Sequence, residues 1–301
     1  MPVNGIRLFK VFGITVFLHW SWLLVAAYEL ETRRGMYRSM GWNIAEYLAL
    51  FAIVLVHEFG HALACRSVGG KADRIVLWPL GGVAYVSPPQ RPGAVLWSIV
   101  AGPLVNVLLL PPTIVLDRIQ ASPELHQFFY AVMLINAGLL IFNILPIYPL
   151  DGGKILWALL WFVLGRGRAL LIASAIGIAG TAALVALAVW SGDGWLIIIA
   201  LWAGFMAFSS FKYARQLRRQ ELLPRREGLK CPACGAAPPI GRFWVCPTCH
   251  GHFDAFEYPI ECPYCHTPHR TNTCPDCGAA APPAMWGMSA IPPAAEAPSH
   301  L

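Results

Sequence analysis

Along most of this chain apolar residues run on without the polar interruptions of a soluble helix. Stretches near 11–30, 44–68, 93–116, 127–147, 169–190 and 194–211 are almost continuously apolar, and about 20 such residues in a helix cross a hydrocarbon core roughly 30 Å thick. The pattern predicts six transmembrane helices. Two shorter segments break it. Residues 78–86 (WPLGGVAYV) are too few to span and are rich in glycine and β-formers, which predicts a hairpin or re-entrant strand. Such backbone survives at membrane depth only where protein or a water-filled cavity satisfies it. In residues 145–153 (LPIYPLDGG), Pro146 and Pro149 remove amide donors and disfavour helix just before them, leaving Asp151 at an unwound point beside the bilayer.

Beyond residue 211 the long apolar runs stop, and residues 212–301 hold eight of the nine cysteines. The fold class expected is therefore an all-α polytopic membrane protein with a short β or re-entrant segment, followed by a small cysteine-rich domain. Its divisions are a membrane domain over 1–211, a basic juxtamembrane linker over 212–230, a tandem cysteine-knuckle region over 231–278 and a disordered alanine- and proline-rich tail over 279–301. Arg7 and Lys10 precede the first apolar stretch, which lacks a small-residue cleavage site and so reads as a span, not a signal peptide.

Composition agrees: only 13% of residues are charged and mean hydropathy is +0.56, against about 25% charged in a soluble chain. A net charge of +6 would suit a nucleic-acid partner, but Lys and Arg flank the apolar runs. Arg66, Lys71, Arg74, Arg91, Lys154, Arg166, Arg168 and the run from Lys212 to Lys230 fall on one side, and Arg33, Arg34, Arg38 and Arg118 on the other. The positive-inside rule then puts both termini in the cytoplasm, and the membrane expected is the cell membrane. A reducing compartment favours zinc over disulfides for the cysteines.

The chemistry concentrates in one apolar run. His57-Glu58-Phe59-Gly60-His61 is the H-E-x-x-H pattern. On a helix, histidines at i and i+4 share a face and hold one Zn²⁺, while Glu58 reaches the water on that metal. The bland alternative is a set of interhelical hydrogen bonds, but two histidines and a glutamate in a membrane helix are costly without a function. A catalytic zinc needs a third protein ligand and an open position. Asp151 is the outstanding candidate and His19 the rival; Asp117 and Asp193 lie at the ends of spans. Asn143 has two readings, a donor to an oxyanion or to unwound substrate backbone, and an interhelical hydrogen bond. Asn106, beside small residues around Gly102, reads as packing, and Cys65 as a small core residue.

These motifs together resemble the site-2 protease family of intramembrane metalloproteases. The resemblance rests on HEFGH paired with residues 143–153 (NILPIYPLDGG), and takes in residues 13–20, 79–84 (PLGGVA) and 101–106 (AGPLVN). It implies a core of three helices with zinc within the membrane, held at His57, His61 and Asp151, with Glu58 as the catalytic glutamate. It further implies that the glycine-bearing segment after the motif helix contacts substrate as a strand. The function expected is hydrolysis of a peptide bond within or near a transmembrane segment of a membrane-protein substrate, as in regulated intramembrane proteolysis. The competing reading is a non-catalytic zinc-binding scaffold or sensor acting through its cysteine-rich tail. Such a scaffold would have no use for a base at Glu58. A metal transporter would spread polar residues along several spans.

In the tail, Cys231, Cys234, Cys246 and Cys249 form one zinc-ribbon set by spacing, and Cys262, Cys265, Cys274 and Cys277 a second. Four thiolates close a site, so these two zinc ions would be structural and the membrane zinc catalytic. His250, His252, His266 and His269 are potential substitutes for a cysteine. Arg242 and Arg270 are the only basic residues within 231–278, which argues against nucleic acid and for a cytoplasmic protein partner. The basic run before them suits anionic lipid headgroups.

Overall fold

The computed structural model describes residues 5–32, 37–78, 81–120, 122–192 and 194–287. The chain divides into two compact units, Met1–Arg215 and Gln216–Leu301. The first opens with β1 (Gly5–Val11), β2 (Ile14–His19), α1 (Trp22–Thr32) and α2 (Met40–Ser67). Strands β3 (Lys71–Trp78) and β4 (Gly81–Ser87) follow, then α3 (Pro92–Arg118), α4 (Pro123–Ile144), α5 (Asp151–Leu164), α6 (Arg166–Ser191) and α7 (Gly194–Glu221). The second unit holds the short strands β5 (Trp244–Val245), β6 (His252–Phe253), β7 (Asn272–Thr273) and β8 (Ala280–Ala281).

Among the described residues five helices are long and apolar enough to cross a membrane: Met40–Ser67, Pro92–Arg118, Pro123–Ile144, Arg166–Ser191 and Leu196–Arg219. The first stretch expected to span, 11–30, is not a single helix. It is the second strand of a hairpin followed by an 11-residue helix, and 11 residues rise only about 16 Å. Period two decides the strand: Ile14 and Val16 are fully buried and the β-branched run Ile14-Thr15-Val16 suits a pleated surface. The stretch nevertheless runs back along α2. Arg66 near the end of α2 donates to the carbonyls of Phe12 and Gly13 at the hairpin turn, and Tyr47 donates to the carbonyl of Trp22. Those two anchor points are about 28 Å apart along the helix.

The membrane unit is therefore not all-α. Its four strands make one sheet in the order β1-β2-β3-β4, antiparallel except for the parallel pair β2–β3. The segment read as a lone hairpin or re-entrant strand is the β3–β4 end of this sheet, with Pro79 and Leu80 outside the described residues. One face packs on α2: Ile14, Val16, Ala72, Ile75 and Leu77 share a core with Val54 and Ala62. Strand β4 is an outer strand, and its position beside α2 brings it to the functional site.

Two further expectations are corrected. Helix α7 continues to Glu221, through the first half of the segment read as linker. The tail is ordered as far as Gly287: β8 pairs with β7, and Trp286, 1% exposed, packs on Phe256 in the core of the second unit. A buried indole and a paired strand outweigh the disorder suggested by alanine and proline. Residues 288–301 lie outside the described residues.

Candidate functional site

Helix α2 presents His57, Glu58 and His61 to the interior, all buried. Asp151 comes from the first residue of α5. The break before it is built by Pro146 and Pro149 and by close backbone approach: a Cβ at Gly152 would lie 2.1 Å from the Ile144 carbonyl oxygen, and one at Gly153 2.3 Å from the Tyr148 nitrogen. Only glycines let the chain fold back so tightly that Asp151 reaches α2. On the other side α3 approaches through Gly102, where a Cβ would sit 2.3 Å from His61 Nε2.

Three ligand atoms converge. His57 Nε2 and His61 Nε2 are 3.1 Å apart, and Asp151 Oδ2 lies 3.1 Å from the first and 3.0 Å from the second. Each partner's other polar atom is engaged elsewhere. His57 Nδ1 lies 2.5 Å from Asn106 Oδ1, His61 Nδ1 lies 2.9 Å from the Ser98 carbonyl oxygen, and Asp151 Oδ1 is 3.4 Å from Lys154 Nζ. A carbonyl oxygen only accepts, so His61 carries its proton on Nδ1, and its Nε2 lone pair points into the triangle. Lone pairs and a carboxylate facing one another in a buried site repel unless a cation lies among them. Donors on a tetrahedral zinc with bonds of about 2.0 Å stand about 3.3 Å apart. The donor set thus fits Zn²⁺, as two imidazoles and a carboxylate.

Glu58 is beside the triangle and held from the sheet, since the amide of Ala84 in β4 donates to its Oε2 at 2.9 Å. A Cβ at Gly82 would lie 2.2 Å from Glu58 Cγ. The glycine is what lets this strand lie against the glutamate.

Not every candidate joins. His19 ends β2, stacks on Trp78 with ring centroids 4.1 Å apart, and contacts Ser21 Oγ through Nδ1. Asp117 pairs with His126 at 3.0 Å, and Asp193 lies outside the described residues. Asn143 is half-buried and, among the described residues, makes no hydrogen bond to His57, Glu58, His61 or Asp151. Asn106, read from sequence as packing, bonds His57 instead. It is joined by Asn136, which sequence reasoning missed. The signal was there: an asparagine in the middle of apolar α4 requires a partner.

In the second unit the eight cysteines cluster as Cys231, Cys234, Cys274 and Cys277, and as Cys246, Cys249, Cys262 and Cys265. This corrects the sets inferred from spacing: the first knuckle closes with the fourth and the second with the third. The reason is the chain's path, because Trp244 donates to the Thr273 carbonyl oxygen and draws the β7 hairpin back onto the β5 region. Sulfur separations across the knuckles are 3.7 and 3.8 Å in one cluster and 3.5 and 3.7 Å in the other. Disulfides would need about 2.05 Å, whereas sulfurs on a tetrahedral zinc stand about 3.8 Å apart. Thr267 Oγ1 lies 3.1 Å from Cys265 Sγ, where its hydroxyl can donate to a thiolate. Among the described residues no histidine enters either cluster; His266 faces Glu261 at 3.1 Å.

The sequence model of peptidase family M50 matches residues 45–119 and 112–187, which hold the whole histidine and aspartate cluster. A solved structure, the site-2 protease of Methanocaldococcus jannaschii, superposes with a TM-score of 0.52 at 28% identity, covering 69% of this chain and 95% of that one. The chain belongs to the site-2 protease family. Among the family's curated members, a zinc metalloprotease of M. jannaschii is 32% identical over 204 residues, 67% of this chain and 59% of that protein. A relative from Synechocystis is 32% identical over 207 residues, 65% of this chain and 51% of that protein. The chain thus spans between half and three fifths of the length of these relatives.

Proposed function

We propose that the protein is an intramembrane zinc metalloendopeptidase, cleaving a peptide bond within or near a transmembrane segment of a membrane-protein substrate in regulated intramembrane proteolysis. The observation that carries this reading is the convergence of His57 Nε2, His61 Nε2 and Asp151 Oδ2 beside a buried Glu58, all between helices long enough to cross a bilayer. His57, His61 and Asp151 would hold a zinc ion, which would supply Lewis acidity to lower the pKa of a water towards about 7 and to polarise the scissile carbonyl.

Glu58 is the base that would take a proton from the attacking water and deliver it to the leaving amine nitrogen. The Ala84 amide occupies Oε2 and leaves Oε1 for this transfer. Because backbone groups alternate sides along a strand, the amide of Gly82 faces the same free edge of β4 as that of Ala84. A transmembrane substrate hides its peptide bonds in helical hydrogen bonds, and an unwound segment of it would add to this edge as a strand. Asn143, near the end of α4, is assigned to the same unwound substrate backbone.

The two cysteine clusters would hold two structural zinc ions and present a surface to a cytoplasmic protein partner. Both termini are assigned to the cytoplasm, with the basic residues of α7 at the lipid headgroups. The test is co-expression with candidate single-span proteins. Wild type should release cleaved products and Glu58→Gln should not, falling at least 100-fold. Equal cleavage by the two would overturn the catalytic assignment.

A further inference from the structure

Several polar groups buried in the membrane unit have no part in the mechanism above. Asn106 and Asn136, both 0% exposed, are the pair that touches the site. Their contacts form a closed loop with one exit. Asn136 Nδ2 lies 2.9 Å from the backbone oxygen of Asn106, Asn106 Nδ2 lies 2.8 Å from Asn136 Oδ1, and Asn106 Oδ1 lies 2.5 Å from His57 Nδ1.

We propose that Asn136 is a positioning residue that fixes the proton of His57 on Nδ1, acting through Asn106, and so keeps Nε2 free for the metal. The direction of the chain follows from its fixed end. A backbone carbonyl only accepts, so the group of Asn136 that meets it is the NH₂. The other end of that amide is then an oxygen, and Asn106 must turn its own NH₂ towards it. Asn106 Oδ1 is thereby committed to His57 as an acceptor, and His57 must donate from Nδ1. Without Asn136 the two ends of the Asn106 amide are nearly the same shape. A half-turn would offer NH₂ to His57 Nδ1, move the proton to Nε2 and close the ligand position. His61 needs no such relay, because its Nδ1 faces the Ser98 carbonyl directly.

This inference rests on the proposed metal site, and the experiment separates the two. Zinc per chain is counted in the purified full-length protein after challenge with a graded chelator, for wild type, His57→Ala, Asn136→Leu and the double variant Asn106→Asp/Asn136→Leu. Leucine at 136 is close in size and offers no hydrogen bond. The expected result is a fall in affinity at the membrane site on the order of 10- to 100-fold in Asn136→Leu, the usual loss for an outer partner of a ligand histidine. Affinity should recover in the double variant, because a carboxylate at 106 only accepts and holds His57 in the right tautomer unaided. A packing defect would not be repaired this way. Wild-type affinity in Asn136→Leu, or a double variant no better than the single, overturns the relay. If His57→Ala itself retains the third zinc, the metal-site reading is what fails.

Discussion

Two glycines at the site exclude side chains for different reasons, and substitution should separate metal binding from catalysis. A methyl at Gly102 would press on His61 Nε2. Gly102→Ala should therefore lose zinc from the membrane site and activity together, by about tenfold or more, with metal content and cleavage both measured. A side chain at Gly82 would press instead on Glu58, which is not among the assigned ligands. Gly82→Val should keep the full zinc complement and lose cleavage; loss of metal as well would show that β4 supports the ligands rather than the base. The residues of this centre were partly legible. His57, Glu58, His61 and Asp151 stood out because charge and imidazole are costly in apolar helices. Asn106 and Asn136 did not, since uncharged amides in such helices are commonly packing contacts, and their direction of donation depends on a contact between helices 30 residues apart in the chain.

At the level of elements, apolar runs identified five long helices, but hydropathy alone could not tell a buried strand from a helix in residues 11–30. The alternation of Ile14 and Val16 was the available signal, and it covers too few residues to outweigh the run that follows. Cysteine spacing marked the knuckles but not their partners, which are set by the fold-back near Trp244 and Thr273. The pairing is open to test. Cys231→Ser and Cys274→Ser should each remove the same zinc and be no worse together than singly, whereas Cys231→Ser with Cys246→Ser should remove two. Additive loss from the first pair would refute the clusters. Within this unit Asp254, 3% exposed, accepts from the Arg226 guanidinium and from the amides of Gly241 and Phe256. Asp254→Asn should cost about 1.5–3 kcal/mol, read as a lower unfolding temperature of the second unit with the membrane centre unaltered.

For the whole molecule, the expected zinc content is three per chain, one in the membrane unit and two in the cysteine-rich unit. Elemental analysis giving two, unchanged by His57→Ala, would leave only the cysteine clusters. The nesting of those two clusters has a consequence for how the molecule is made. Between Cys249 and Cys262 lie 12 residues, but between Cys234 and Cys274 lie 39. Closing the longer loop costs about 1 kcal/mol more in chain entropy, and an occupied inner cluster removes most of that difference by already drawing the intervening chain together. Zinc should therefore load in order, inner cluster first, and the outer one acts as a clasp that shuts once the chain has emerged as far as Cys277.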